Sequence, residues 1–195
     1  MGADNSKVQV HYENLVEAVL QIPPGHYLHP NEREGIYEKF NIVIVGLPHG
    51  GKSSLLNTIL RVLNKEWDEK LTRHANTGPG GIGEQLTKML SKYTPPRSSY
   101  VQLFDCFAAT KFDDREKLFF KKVVTEGVRL GSTVSNVQPD PNNVMRVSIL
   151  VVNLDQLNNN LERARITQLA DILAECGKPL NGNISYFLLL TNKSK

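Results

Sequence analysis

The sequence has few of the residues that build a covalently cross-linked or metal-stabilised fold. Its only cysteines are Cys106 and Cys176. Two cysteines so far apart provide neither a disulfide framework nor a C-x-x-C metal motif, and they favour a reducing compartment. His26 and His29 are three residues apart, but they lie in a proline-containing loop without further ligands. We therefore predict no metal site at these histidines.

Long apolar runs and a strong charge of either sign are also missing. No apolar segment approaches the length of a transmembrane span, and none near the start resembles a secretory signal, so we predict a cytoplasmic protein. The net charge of +3 is too small to indicate a nucleic-acid partner. The chain of 195 residues, 40% of them hydrophobic, is long enough to bury one substantial core.

Residues 1–38 are predicted to form an extension that precedes one main domain at 39–195. A short amphipathic helix is expected at about 12–22, and it either packs back on the domain or binds a partner. Met1–Ser6 also fits the N-myristoylation pattern M-G-x-x-x-[ST]. A single acyl chain on Gly2 would give weak, peripheral membrane association.

The segment Gly46–Ser53 matches the pattern G-x-x-x-x-G-K-[ST] of phosphate-binding loops. An apolar run at 40–45 predicts a buried strand before it, and a helix is predicted from Lys52 to about Asn64. Glycines let backbone amides face the phosphates, and the helix adds the positive end of its dipole. Lys52 would contact the β- and γ-phosphates as a catalytic residue, and Ser53 would bind Mg²⁺. The residues predicted to contact the nucleotide here are Gly46, Leu47, Pro48, His49, Gly50, Gly51, Lys52, Ser53 and Ser54.

Apolar strands that alternate with helices predict an α/β fold whose sheet is mostly parallel and covered on both faces. Further strands are predicted at about 85–93, 100–104, 147–152 and 184–190. Further helices are predicted at about 114–130 and 157–176. Because the carboxyl ends of parallel strands meet at one edge, we expect Gly46–Ser53, Asp105 and Asn192 to lie there together.

The run Gly51–Asn57 resembles the first motif of GTPases of the Ras-like and dynamin-like groups, and the order of elements looks most like interferon-induced GTPase-like proteins. The resemblance covers 40–195 and implies a three-layer P-loop NTPase fold, GTP or GDP as ligand and Mg²⁺ as cofactor. It also implies a switch or an assembling GTPase, with an effector protein or a second copy of the chain as partner. Compared with a full GTPase domain, the sequence ends at Lys195, before the last strand and helix.

The resemblance assigns further residues, and it also reveals departures from the family pattern. Thr87 matches by position the threonine that senses the γ-phosphate and Mg²⁺, with Thr77 as the alternative. Asp105 matches the metal-side aspartate of the D-x-x-G motif, but Ala108 replaces the glycine, which reduces the freedom of that peptide to flip. Ala109 replaces the glutamine that orients the attacking water in Ras-like enzymes. Slow or partner-dependent hydrolysis follows.

The guanine-recognition motif of the family, N-K-x-D or T-K-x-D, is matched only in part. Asn192 and Lys193 follow the last predicted strand in the corresponding place, and we assign both to the nucleotide. Lys195 replaces the aspartate, and a lysine cannot accept hydrogen bonds from guanine. The segment Asn153–Asp155 follows a different strand, and we interpret it as a turn that starts the next helix. Three functions remain open: a slowly hydrolysing GTP-binding protein, a nucleotide-binding interaction module without turnover, and an ATP-binding P-loop protein.

Overall fold

The structure is a computed structural model that describes residues 14–15, 17–18, 20–23, 39–64, 89–95, 100–177 and 185–191. Within the N-terminal extension, residues 14–15, 17–18 and 20 are helical, and the Leu20 side chain is buried. No helix among the described residues combines the length and the apolar character needed to cross a membrane.

A five-stranded sheet organises the described part of the chain. Its strands are β1 Phe40–Val45, β2 Ser91–Tyr93, β3 Val101–Asp105, β4 Val147–Asn153 and β5 Ser185–Thr191. They lie in the order β2-β3-β1-β4-β5. All neighbours are parallel except β2, which pairs antiparallel with β3. The predicted α/β fold with a mostly parallel sheet is therefore confirmed, and β1 lies at its centre.

Among the described residues after β1, three helices pack on the two faces of this sheet: α1 Lys52–Asn64, α2 Asp114–Thr125 and α3 Asn160–Gly177. Successive side chains of a strand point to opposite faces, and the core divides accordingly into two apolar clusters. The cluster that contains α1 includes Ile44, Leu56, Leu60, Leu103 and Val151. The cluster that contains α2 and α3 includes Val43, Phe104, Phe119, Phe120, Leu150, Leu169 and Leu173. The arrangement is compatible with a three-layer α/β fold.

The helix predicted at about 114–130 is shorter than expected and ends at Thr125. Its cap residue Glu126 donates its backbone amide to the Lys122 carbonyl oxygen. Gly127 then adopts a φ of 74°, where a Cβ atom would collide with the Asp140 carbonyl oxygen. The chain therefore leaves the helix at a position that only glycine tolerates.

The helix predicted to begin at about Leu157 begins instead at Asn160. Residues Leu154–Asn158 form a separate 3₁₀ helix, because Asn153 caps it by accepting a hydrogen bond from the Asp155 amide at 3.0 Å. Of the strand predicted at about 85–93, residues 89–93 are described, and among these Ser91–Tyr93 form the strand β2.

Candidate functional site

The loop Gly46–Gly51 joins β1 to α1 at the carboxyl edge of the sheet, and its backbone is tightly constrained. Gly46 has a φ of 151°, and a Cβ atom there would collide with the Val151 carbonyl oxygen. His49 has a φ of 60°, which lies in the left-handed region that few residues other than glycine adopt. The loop thus packs directly against the end of β4 and has little freedom to vary.

The ammonium group of Lys52, the first residue of α1, folds back over this loop. Its Nζ donates a hydrogen bond to the Leu47 carbonyl oxygen at 3.0 Å, and the side chain is only 7% exposed. Burial lowers the pKa of Lys52, while the Asp105 carboxylate partly opposes this effect. A desolvated cation beside the loop favours an anionic ligand, because the anion would replace the stabilisation that hydration gives an exposed cation.

Ser53 and Asp105 lie side by side although they come from α1 and β3. The parallel register pairs Asp105 with Ile44 of β1, which brings the end of β3 close to the loop. Ser53 Oγ donates to Asp105 Oδ2 at 3.3 Å, and Asp105 is 2% exposed. The prediction that the glycine-rich loop and Asp105 share one edge is therefore confirmed.

A hydroxyl oxygen and a carboxylate oxygen are ligands suited to Mg²⁺, which usually keeps several waters and takes only one or two protein carboxylates. Among the described residues, no group of three or more His, Cys, Asp or Glu side chains is placed to hold a metal ion. The Ser53–Asp105 pair therefore fits Mg²⁺ bound with water and phosphate oxygens, and does not fit an all-protein metal cage.

Gln156, in the 3₁₀ helix Leu154–Asn158, holds the loop from the β4 side. Its Nε2 donates to the Pro48 carbonyl oxygen at 2.8 Å, and its Oε1 accepts from the Asn153 amide at 3.2 Å. The side chain is buried, at 6% exposed. Gln156 was not predicted from the sequence, because its position in a largely polar run gives no sign of burial.

Thr191, the last residue of β5, holds the loop from a second direction. Its Oγ1 lies 3.0 Å from the Gly50 carbonyl oxygen and 3.3 Å from the Val152 carbonyl oxygen. Thr191 was not predicted either, since only the pairing of β5 with β4 brings it near the loop. The Pro48 and Gly50 carbonyls thus both have hydrogen-bond partners outside the loop.

The segment Cys106–Phe112 that follows β3 is packed into the core. Its residues Cys106, Phe107, Ala108, Ala109 and Phe112 are all buried. The ring of Phe107 meets that of Phe119 of α2 edge-on, with centroids 4.8 Å apart. The Ala109 amide donates to the Gly46 carbonyl oxygen at 3.3 Å, which ties this segment to the loop.

One buried carboxylate fixes the end of the same segment. Glu116 of α2 accepts hydrogen bonds from the backbone amides of Thr110, Lys111 and Phe112, the shortest of which is 2.6 Å, at Phe112. The Thr110 hydroxyl donates to the same carboxylate at 2.8 Å. Movement of this segment would break these charge-assisted hydrogen bonds, so they favour the observed conformation.

Some of the predicted site residues are brought together and others are outside the described part of the chain. Lys52, Ser53 and Asp105 meet beside the loop Gly46–Gly51, and Ser54 follows them in α1. The segment Asn153–Asp155 starts the next helical turn, as predicted. The predicted residues that lie outside the described residues are Gly2, Thr77, Thr87, Asn192, Lys193 and Lys195. Their roles remain predictions.

The edge therefore combines a glycine-rich backbone turn, a buried cation and a hydroxyl–carboxylate pair. Groups of these kinds are the ones from which sites for phosphate and a divalent metal are built. At Ala109 the chain offers no polar side-chain atom that could orient a water molecule.

Comparison with models of known protein families gives no match, and comparison with curated proteins gives no significant similarity. The residues at this edge of the sheet are thus the basis on which a function can be inferred.

Proposed function

We propose that this chain is a P-loop guanine-nucleotide-binding protein that binds GTP and GDP with Mg²⁺ and hydrolyses GTP slowly or only with a partner. The observation that carries this proposal is the meeting of Lys52, Ser53 and Asp105 beside the loop Gly46–Gly51. Three chemically different groups, drawn from β3 and from the start of α1, converge where a strand–loop–helix unit would hold phosphates.

In this proposal the phosphates lie against the amides of the loop and the amino end of α1. The Lys52 ammonium would exchange the Leu47 carbonyl oxygen for oxygens of the β- and γ-phosphates. A charge-assisted bond to a phosphate is stronger than a bond to a neutral carbonyl, which supports this exchange. The negative charge of the phosphates would also stabilise the charged form of Lys52, which burial has deprived of hydration.

Mg²⁺ would be held by the Ser53 hydroxyl and, through water, by Asp105, and it would neutralise charge on the phosphate oxygens. Thr87 is proposed as a further ligand on the resemblance alone. The Ser53–Asp105 hydrogen bond supports the pairing, because it keeps both oxygens in one place before a metal arrives.

Slow hydrolysis follows from Ala109, which stands where Ras-like enzymes carry the water-orienting glutamine. A methyl group can neither accept a proton nor align a water molecule. A partner protein that supplied a polar side chain would raise the rate. The same feature favours a second candidate function, an interaction module that holds a nucleotide without turning it over.

The preference for guanine rests on Asn192 and Lys193 and on the family resemblance. We propose a modest preference for GTP over ATP, because Lys195 stands where the family has a base-binding aspartate. Lys195→Asp should raise GTP affinity about tenfold and leave ATP affinity nearly unchanged. An ATP preference in the wild-type protein would instead support the ATP-binding alternative.

Titration of the purified protein with GTP, GDP and ATP in Mg²⁺, followed by measurement of phosphate release, tests the proposed function. We expect GTP and GDP to bind more tightly than ATP, with phosphate release slower than about 0.01 per second, the rate of the faster intrinsic GTPases. Binding without any release would select the interaction module, and absence of binding would overturn the proposal.

A further inference from the structure

We propose that Gln156 and Thr191 are positioning residues that set the direction of two backbone amides in the loop Gly46–Gly51, and through them the affinity of this loop for phosphate. The proposal rests on the proposed function for its ligand, but the orientation of the amides can be measured without one. Neither residue would touch the nucleotide itself.

The geometry of the peptide unit links the direction of each carbonyl to that of the following amide. In a trans peptide the C=O and N–H bonds of one unit point in nearly opposite directions, and the described residues contain no cis peptide bond. Gln156 Nε2 holds the Pro48 carbonyl oxygen at 2.8 Å. The amide of the same peptide unit, which belongs to His49, therefore points away from Gln156.

Thr191 acts in the same way on the next but one peptide unit. Its hydroxyl lies 3.0 Å from the Gly50 carbonyl oxygen, so the amide of Gly51 points away from β5. The carbonyls of Pro48 and Gly50 are thus anchored, and the amides of His49 and Gly51 point away from these anchors. The Gly50 amide between them donates to the Leu47 carbonyl oxygen at 3.3 Å. Backbone nests bind anions through amides whose directions are fixed in this way.

Gln156 is itself oriented by a second hydrogen bond. Its Oε1 accepts from the Asn153 amide at 3.2 Å, so a flipped carboxamide would place an oxygen against the Pro48 carbonyl and an NH₂ group against an amide donor. The buried side chain thus has one satisfied orientation. It connects the loop to the end of β4 across 108 residues of sequence.

Thr191 connects the loop to β5 across 141 residues. A hydroxyl has one hydrogen to donate, and the Gly50 carbonyl oxygen is the nearer of its two acceptors, with Val152 at 3.3 Å. The loop is thus held by the ends of both strands that lie on one side of β1. Its amides are oriented before a ligand arrives, which is the condition for tight anion binding.

Variants that remove the hydrogen bond but keep the shape test each position separately. Thr191→Val and Gln156→Met replace the polar atoms with carbon and sulfur, while Thr191→Ser keeps the hydroxyl. Gln168→Met on the exposed surface of α3 is the matched control for glutamine replacement. The unfolding temperature of each variant shows whether it is folded, and a failure at one position leaves the other position as the test.

The first measurement uses ligand-free protein labelled with ¹⁵N. We expect the amide resonance of Gly51 to shift in Thr191→Val and that of His49 to shift in Gln156→Met, with wild-type positions in Thr191→Ser and Gln168→Met. Unchanged His49 and Gly51 resonances in folded variants would overturn the proposal, whatever the protein binds.

The second measurement is a titration with GDP and Mg²⁺, with the ³¹P resonances of the bound nucleotide recorded. We expect Thr191→Val and Gln156→Met to bind about tenfold more weakly, with a shifted β-phosphate resonance, and Thr191→Ser to restore both properties. Equal affinity and equal ³¹P shifts in all variants would overturn the proposal. If the amides shift as expected but wild type binds no GDP, the proposed function fails and the effect on phosphate affinity fails with it, while the role of Gln156 and Thr191 in orienting the two amides stands.

Discussion

At the scale of single residues, the candidate site depends on the placement of three side chains. The helix α1 supplies Lys52 and Ser53, and the strand β3 supplies Asp105. Burial of a lysine is costly, and the lowered pKa of Lys52 reflects its loss of hydration. Its neighbour Asp105 compensates only part of the charge. Buried ionisable groups with a shifted pKa cluster at functional sites, which supports the proposed function.

The metal side of the site is tested by Asp105→Asn, which keeps the shape of the side chain and removes its charge. We expect Mg²⁺ to strengthen GDP binding less in the variant than in wild type, since a neutral amide cannot supply the negative charge that holds the hydrated metal. Titration of GDP with and without Mg²⁺ gives both values. Asp171→Asn on the exposed side of α3 is the control, and an unchanged Mg²⁺ effect in Asp105→Asn would remove this residue from the metal site.

The left-handed backbone at His49 separates a conformational role from a chemical one. His49→Gly should bind GDP and release phosphate as wild type does, because glycine adopts a φ of 60° without strain. His49→Val should lower the free energy of unfolding by about 1–2 kcal/mol, since a β-branched residue is strained there. Thermal unfolding and turnover measurements check both, and a loss of turnover in His49→Gly would assign chemistry to the imidazole.

At the scale of elements, the segment Cys106–Phe112 differs from what a nucleotide-sensing switch requires. Its apolar side chains are buried against α2, and Glu116 holds its last backbone amides. The sequence analysis expected reduced mobility here from Ala108 alone. The packing of Phe107 and the Glu116 carboxylate give a stronger physical reason for the same behaviour.

We therefore expect the segment Cys106–Phe112 to exchange its amide hydrogens equally slowly with GDP and with a non-hydrolysable GTP analogue bound. Hydrogen exchange measured by mass spectrometry over this segment checks the expectation. Faster exchange in one of the two nucleotide states would identify the segment as a switch.

A substitution at Glu116 tests whether its buried carboxylate stabilises the segment Cys106–Phe112. Glu116→Gln should lower the free energy of unfolding by about 1–3 kcal/mol, because three backbone amides and a hydroxyl lose a charged acceptor. Glu126→Gln, at the exposed cap of the same helix, should be nearly neutral. Equal effects of the two substitutions on chemical denaturation would contradict the role assigned to Glu116.

The elements also indicate what a sequence can reveal. The strand β1 and the helix α1 were predicted at their observed bounds, because an apolar run and a glycine-rich motif are local signals. The end of α2 was misplaced although Gly127 marked it. Glu116, Gln156 and Thr191 could not be found from local pattern: a glutamate in a charged helix resembles a solvated residue, and the other two depend on contacts across more than a hundred residues.

At the scale of the whole molecule, the strand order explains why one loop collects so many partners. Because β1 lies between β3 and β4, the loop at its carboxyl end is flanked by Asp105 on one side and by the 3₁₀ helix Leu154–Asn158 on the other. The end of β5 reaches the loop through Thr191. The order of the strands, rather than any single motif, thus brings the candidate site together.

The central claim is that the loop Gly46–Gly51 and Lys52 bind the phosphates of a nucleotide. Its most direct test is calorimetric titration of GTP and GDP in Mg²⁺ into wild type, Lys52→Ala and the surface control Lys121→Ala. We expect wild type and Lys121→Ala to bind alike and Lys52→Ala to bind at least about a hundredfold more weakly while remaining folded, because the phosphates lose their main cationic partner. Equal binding by Lys52→Ala, or no binding by wild type, would contradict the claim.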